Sequence, residues 1–283
     1  MSDGMVTEWG TGKLGQWGEP SEFEVTAERT IAYAEGTNDE HPKHLSGELA
    51  SPVFAFVPVF QALMPVIAQV VPTEILMRVV HGEHDFSYAQ PIVPGMRLVS
   101  RVAPVGIHGR SSGVTVIAKA VTETSSGEPV VEQYMTAFFR GAELDGSHGE
   151  EAPPHAFPEH LREQPPLLSV THGYDADQTQ RYSKASGDPM PIHLDDEFAK
   201  SVGLPGIIAH GMCTLAFASR AVIAAGCPDD PARLSRLAAR FGAIVQPSEQ
   251  VTTNVYAGPP TLAFETVSDN GNTAIKDGLA EVR

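Results

Sequence analysis

Tyr33-Ala-Glu-Gly-Thr37-Asn-Asp39-Glu-His-Pro42-Lys-His44-Leu45 and Tyr182-Ser-Lys-Ala-Ser186-Gly-Asp188-Pro-Met-Pro191-Ile-His193-Leu194 stand 149 positions apart and share five identical residues. Self-similarity at one fixed separation marks a repeated structural unit. Working outward from it, each copy leads into an apolar, small-residue stretch and then into several strand-like runs. In the first half a strand-like run, Phe23 to Thr26, precedes a helical piece ending near Gly36. The apolar stretch spans Pro52 to Val71, and strands are expected at Arg97–Val105, Gly113–Thr124 and Pro129–Arg140. Turn signals at 108–113 and 125–129 separate the strands.

The second half repeats the order. Leu167–Thr171 is strand-like, Asp175 is placed to cap a helix running to Ala185, and Gly211–Ala225 reads as a helix apolar on nearly every side. Strands are expected at Glu249–Ala257, Leu262–Ser268 and Thr273–Val282, the last two joined through Asn270-Gly271, a strong hairpin signal. A helix followed by antiparallel strands, done twice, is an α+β layout in which each sheet covers one apolar helix. The expected division is 1–150 and 151–283, with the aperiodic, Pro- and Gly-rich segment 145–166 as linker.

Composition agrees with two globular units: 283 residues, 42% hydrophobic and 19% charged, suit about two domains. The net charge of -16, without any Lys/Arg cluster able to follow a phosphate backbone, argues against nucleic acid as a partner. Two cysteines, Cys213 and Cys227, are too few to staple the chain and suit a reducing compartment. The first ten residues lack a basic run followed by an apolar one, so a cytoplasmic protein is expected. The uncharged segment from Ala50 to Thr73 is long enough to raise a membrane span, but Pro52, Pro58, Pro65 and Pro72 would break it repeatedly. A buried helix with kinked ends is the expectation, with no membrane partner.

The second copy carries the chemistry. Around Asp188 and His193, Pro189, Pro191 and Gly187 restrict the backbone, so a carboxylate and an imidazole can be held together as an acid/base pair. Further on, His210-Gly211 opens the apolar helix, whose first N–H groups lack intrahelical acceptors and can hold a developing oxyanion.

From Tyr182 to Met212 the sequence resembles the hydratase signature of the MaoC-like, or (R)-specific enoyl-CoA hydratase 2, family. The duplicated layout is similar to that of its double hot-dog members. His81-Gly82-Glu83-His84-Asp85-Phe86 with Pro94-Gly95 resembles the strand that ends the first hot-dog of such proteins. The resemblance implies that Asp188 and His193 are the catalytic pair and that the Gly211 N–H is the oxyanion donor. Ser186, Gly187, Met190, His210 and Met212 are the implied substrate contacts. It implies reversible hydration of trans-2-enoyl thioesters, carried on CoA or acyl carrier protein, to (3R)-3-hydroxyacyl thioesters, with no cofactor, no metal and a homodimer as the possible assembly. A non-catalytic thioester-binding subunit and a hot-dog thioesterase are the alternatives.

Where the family usually has Asn two residues after the catalytic Asp, this chain has Met190. In the first copy Asp39 and His44 keep the frame, but no His-Gly pair follows, so that half is expected to be non-catalytic and to make room for an acyl chain. The simpler readings of the remaining residues are structural. His81 and His84 suit a surface or loop position, Cys213 a packed small hydrophobe, and Arg233, Arg236 and Arg240 either CoA phosphates or solvent.

Overall fold

A computed structural model describes residues 8–257 and 260–283; the first seven residues, on which the compartment expectation partly rests, lie outside them. In chain order the elements are β1 (Ser21–Glu24), α1 (Ala27–Gly36), α2 (Pro42–Leu45), α3 (Val57–Ala68), β2 (Val79–Tyr88), β3 (Arg97–Arg110), β4 (Gly113–Thr124), β5 (Pro129–Arg140) and β6 (Ser147–Gly149). The second half continues with β7 (Leu168–Gly173), α4 (Gln178–Ser186), α5 (Asp196–Ser201), α6 (Gly211–Gly226), β8 (Leu234–Phe241), β9 (Gln250–Tyr256), β10 (Thr261–Ser268) and β11 (Thr273–Val282).

The strand orders carry the duplication further than the sequence did. The first set runs β1-β3-β4-β5-β2, with β6 added on β3, and the second runs β7-β9-β10-β11-β8. Taken in order of appearance, both sets follow the same path, in which the strand after the central helix settles beside the last strand of the meander. Each is an antiparallel sheet with its own long helix, the hot-dog arrangement that the resemblance implied.

Compact packing regroups the chain into residues 1–23, 58–87 and 97–154, and residues 24–57, 88–96 and 155–283. The second unit thus takes α1 and α2 from the first half. The reason lies in α1 and α4, which pack on each other: a Cβ on Gly36 would lie 3.1 Å from that of Ala185, and Gln178 Nε2 donates to the Gly36 carbonyl at 2.6 Å. The hydroxyls of Tyr33 and Tyr182, equivalent in the repeat, meet at 3.4 Å in full burial. In the same unit α6 packs against all five strands β7–β11 and buries Leu215, Phe217 and Val222 completely. Burying such side chains contributes roughly 1.5–3 kcal/mol each.

Several expectations change. The apolar stretch after Ala50 becomes a 3₁₀ segment, Pro52–Phe56, followed by α3 with Pro65 inside it, because prolines at 52, 58 and 65 prevent one continuous helix. Among the described residues no helix is long and apolar enough to cross a membrane. Asp177 rather than Asp175 precedes α4, and Asp175 instead pairs with Arg181 and Asn38. The 145–166 segment, expected as linker, contains the 154/155 boundary between the two units and has contacts of its own: β6 pairs with β3, His155 Nδ1 donates to the Asp277 carbonyl at 2.7 Å, and Phe157 is buried beside Leu161 and Ala263. His84 is fully buried in β2, not superficial, with Nε2 3.0 Å from Gln133 Oε1 and Nδ1 3.1 Å from His81 Nε2. Cys213 is buried and free, as expected of a packed hydrophobe. Arg236 and Arg240 face acidic partners, Glu281 at 3.5 Å and Asp277 at 3.4 Å.

Candidate active site

Both repeats leave their first long helix through a left-handed residue. Gly187 has φ 77° after α4 and Asn38 has φ 50° after α1, a conformation that Gly and Asn tolerate best. The next residue in each copy is the aspartate. At Asp188 the backbone N–H donates to Ser186 Oγ at 3.3 Å, and Oδ1 accepts from the Met190 N–H at 3.1 Å. That second bond closes a local turn onto the carboxylate, while Pro189 and Pro191 on either side restrict the chain.

Pro191–His193 forms one 3₁₀ turn, and His193 Nδ1 lies 2.9 Å from the Ile208 carbonyl. A carbonyl only accepts, so Nδ1 carries the hydrogen and Nε2 keeps a lone pair. α5 then carries the chain away. It returns through Ile208, whose N–H meets the Ile192 carbonyl, and Ala209, whose N–H meets the Val245 carbonyl at 2.7 Å. This path places His210 as the residue capping α6, with the Gly211 N–H at the positive end of a 16-residue helix. A Cβ at position 211 would lie 3.3 Å from the Phe241 ring, so glycine lets the β8 end approach the helix start.

Burial sets the electrostatics. Loss of hydration raises the Asp188 carboxyl above the ordinary range, against the Met190 N–H and the nearby His193. Burial also lowers His193, against the Ile208 carbonyl and Asp188, so the imidazole is neutral at neutral pH and its Nε2 lone pair is available to accept. His210 is held far below its usual value by burial and by His193. Its ring stacks on His193 at 3.7 Å between centroids and 25° between planes.

The first copy puts the same residue types to another use. His44 Nδ1 donates to Asp39 Oδ2 at 2.7 Å, Ser51 Oγ donates to the same oxygen at 2.6 Å, and the His41 N–H donates to Oδ1 at 3.0 Å. Burial would raise the Asp39 pKa, but the bonds from His44, Ser51 and His41 outweigh it and the net shift is downward. Asp39 and His44 are thus spent on each other. Asp188 and His193 share no hydrogen bond among the described residues, and both keep acceptor capacity for a ligand.

Asp188, His193 and His210 bring their possible ligand atoms within 4.8 Å of one another. Nearly parallel, stacked rings do not aim two in-plane lone pairs at one ion, so this cluster fits a water better than a metal. Of the implied substrate contacts, Ser186, His210 and Met212 are buried, Met190 is half-buried and Gly187 is exposed. The unpartnered Nδ1 of His210 and the Ser51 bond to Asp39 had no signal in the sequence. A small apolar pocket opens beside Leu49–Pro52, Tyr88 and Leu234, and no residue of the Asp188 cluster lines it.

Two domain families match this chain: the MaoC like domain over residues 158–274 and the MFE-2 hydratase 2 N-terminal domain over residues 23–141. The chain belongs to the MaoC-like hydratase 2 family. It is 28% identical to 3-hydroxyacyl-thioester dehydratase Y of Mycobacterium tuberculosis, over 95% of this chain and 96% of that one. It is 26% identical to a peroxisomal enoyl-CoA hydratase 2 of Arabidopsis thaliana, over 72% of this chain and 68% of the relative. The crystal structure of a MaoC-like dehydratase from Phytophthora capsici superposes with a TM-score of 0.85 at 21% identity, covering 96% of this chain and 97% of that one. The two domain matches fall one in each half of the chain, in step with the two repeats.

Proposed function

We propose that this protein reversibly hydrates trans-2-enoyl thioesters to (3R)-3-hydroxyacyl thioesters at Asp188, His193 and Gly211. The observation that carries this reading is a carboxylate and an imidazole Nε2 with acceptor capacity left over, close to the start of α6. One water is held by both acceptors. Its O–H bond breaks as its oxygen adds to C3, the C2–C3 double bond becomes a single bond, and the proton passes to C2 on the same face. Meanwhile the thioester oxygen takes up enolate charge against the Gly211 N–H, an interaction of the kind that is worth about 10²–10³ in rate. Ser186, Gly187, Met190, His210 and Met212 line the approach.

Relatives named as an enoyl-CoA hydratase and as a 3-hydroxyacyl-thioester dehydratase support both directions of this reaction. CoA or acyl carrier protein carries the acyl group, and the first repeat, 1–150, serves the catalytic repeat, 151–283, without chemistry of its own. A cytoplasmic homodimer is the proposed working form, read from the two free buried cysteines and the exposed sheets of such folds. Localisation of a tagged chain and its mass in solution test that form.

The test of function is hydration of a short trans-2-enoyl-CoA by wild type, Asp188→Asn and Asp39→Asn, with the alcohol resolved on a chiral column. The expected result is the (3R) product from wild type and Asp39→Asn and nearly none from Asp188→Asn. A second reading, a thioester-binding subunit, is favoured by Met190, which has no side-chain donor to orient a water. All three proteins would then bind the thioester and leave it unchanged.

A further inference from the structure

The side chain of His210 is neither a helix cap nor a free donor. It makes no cap hydrogen bond to α6, although its carbonyl receives the Cys213 and Thr214 N–H groups at 3.0 and 3.2 Å and so fixes the residue at the helix start. The ring is 2% exposed and lies between two others, His193 at 3.7 Å and Tyr182 at 4.7 Å between centroids. Nε2 lies 3.4 Å from the Asp188 carbonyl, a group that only accepts, so the hydrogen is there. Nδ1 is buried without a partner. A ring arranged this way has no proton relay to join.

The first repeat supplies an internal control. The residue preceding its helical segment is Ser51, and the small hydroxyl reaches the Asp39 carboxylate, which also takes the His44 N–H. With a ring in the corresponding place, the second repeat keeps its aspartate and histidine apart. We propose that His210 is a positioning residue for His193: it covers one face of the imidazole against water and fixes the plane in which Nε2 meets the attacking water. This rests on His193 being the base at the proposed site.

The titratable groups acting on His193 are Asp188 from its own loop and His210 from the start of α6. On the far side of His210 stands Tyr182 of α4, which in turn feels Tyr33 of α1, Cys213 of α6 and Asp188. Among these groups the structure records no cation that would hold His193 neutral in place of the covering ring.

The experiment combines ring-15N NMR of His193 with the pH profile of kcat/KM for wild type, His210→Phe and His210→Ala. In wild type, His193 is expected as the Nδ1–H tautomer, taking up its Nε2 proton only below the ordinary histidine range near pH 6.5. His210→Phe keeps a covering ring and is expected to keep the His193 tautomer and the position of the acid limb, whatever its absolute rate. His210→Ala uncovers the face; His193 then titrates near 6.5, and kcat/KM at pH 5.5 drops about 10-fold relative to pH 7.5. Equal losses in Phe and Ala at every pH, with the His193 titration unmoved, would overturn the proposal, as would an ordinary His193 titration in wild type, which needs no variant to fold. Retained activity in His193→Asn would instead overturn the base assignment, while the NMR titration still reports whether His210 governs His193.

Discussion

Asp39 and Asp188 occupy one position of the repeat, and the structure gives their substitution opposite consequences. Asp39 is 4% exposed and accepts three hydrogen bonds, from His44, Ser51 and the His41 N–H. In Asp39→Asn the amide nitrogen faces donors, and at least one buried donor loses its acceptor. Hydrogen bonds to a charged group are worth roughly 1.5–3 kcal/mol each and stranded donors about 1–3, so a net loss of about 2–4 kcal/mol follows. At about 2–4 °C per kcal/mol for a chain of this size, the melting temperature falls by roughly 4–16 °C.

The sign with pH is fixed by the downward shift of Asp39. Its contribution is fully present above the unfolded carboxylate pKa near 3.9 and disappears as pH falls through the lower folded value. The gap between wild type and Asp39→Asn therefore closes on acidification below pH 4. Asp188 is shifted upward, so its ionisation disfavours the folded state above its folded pKa. Asp188→Asn is expected to fold as well as wild type or better at pH 7, an advantage that vanishes below about pH 4, and to lose nearly all hydration. Urea or thermal unfolding at pH 7 and pH 4 with parallel enoyl-CoA assays measures all four quantities. An inactive but fully stable Asp39→Asn, or an active Asp188→Asn, would refute the assignment of roles.

Three further outcomes follow from the same geometry. Gly211→Ala puts a Cβ 3.3 Å from the Phe241 ring, so the helix start or the ring must shift; kcat is expected to drop about 10-fold, short of the 10²–10³ for losing a donor outright, with KM little changed. The kcat/KM profile is expected to rise through an acid limb above the ordinary Asp value and stay flat through neutral pH, because Asp188 is raised and His193 lowered; an alkaline loss near pH 7 would mean that a protonated His193 is required. Ser248, at φ 74°, stands where the first repeat has Gly95 at φ 94°, so Ser248→Gly is expected to stabilise by about 1 kcal/mol in thermal melts.

How far the sequence went depends on what kind of interaction set each feature. The bounds of β4, β5 and β11 match their expected runs at both ends, since alternation and flanking turn residues are local signals. α6 differs by one residue for the same reason. Of β8 only the arginines were singled out, and it was not among the expected strands. Leu234-Ser-Arg-Leu-Ala-Ala-Arg-Phe is made largely of good helix formers, and pairing with β11 overrides that preference. His84 read as superficial because a polar residue in a strand gives no sign of a buried Gln133 49 positions away. Within the candidate site, Asp188, His193 and Gly211 were singled out by position, and the structure brings Asp188, His193 and His210 together. The sealing of Asp39 was not, because it depends on Ser51, 12 residues on, reaching the carboxylate.

That last contrast separates the copy proposed to be catalytic from the one proposed to be inert. Both repeats retain the helix, the left-handed exit, the aspartate, the proline and the histidine. They differ at the start of the next helical segment, where one has Ser51-Pro52 and the other His210-Gly211. Pro52 has no N–H to offer an oxyanion, and Ser51 offers its hydrogen to Asp39 instead. With the carboxylate satisfied three times over, its pKa falls and its basicity falls with it. In the second repeat Gly211 restores the donor, and a buried ring replaces the hydroxyl that would have quenched Asp188. Under the proposed mechanism, two adjacent residues thus set both the electrophilic and the basic side of the chemistry. His210→Ser, which gives Asp188 the hydroxyl that Asp39 has, is expected to lower the Asp188 pKa and slow hydration, even though no member of the proposed acid/base pair has been changed.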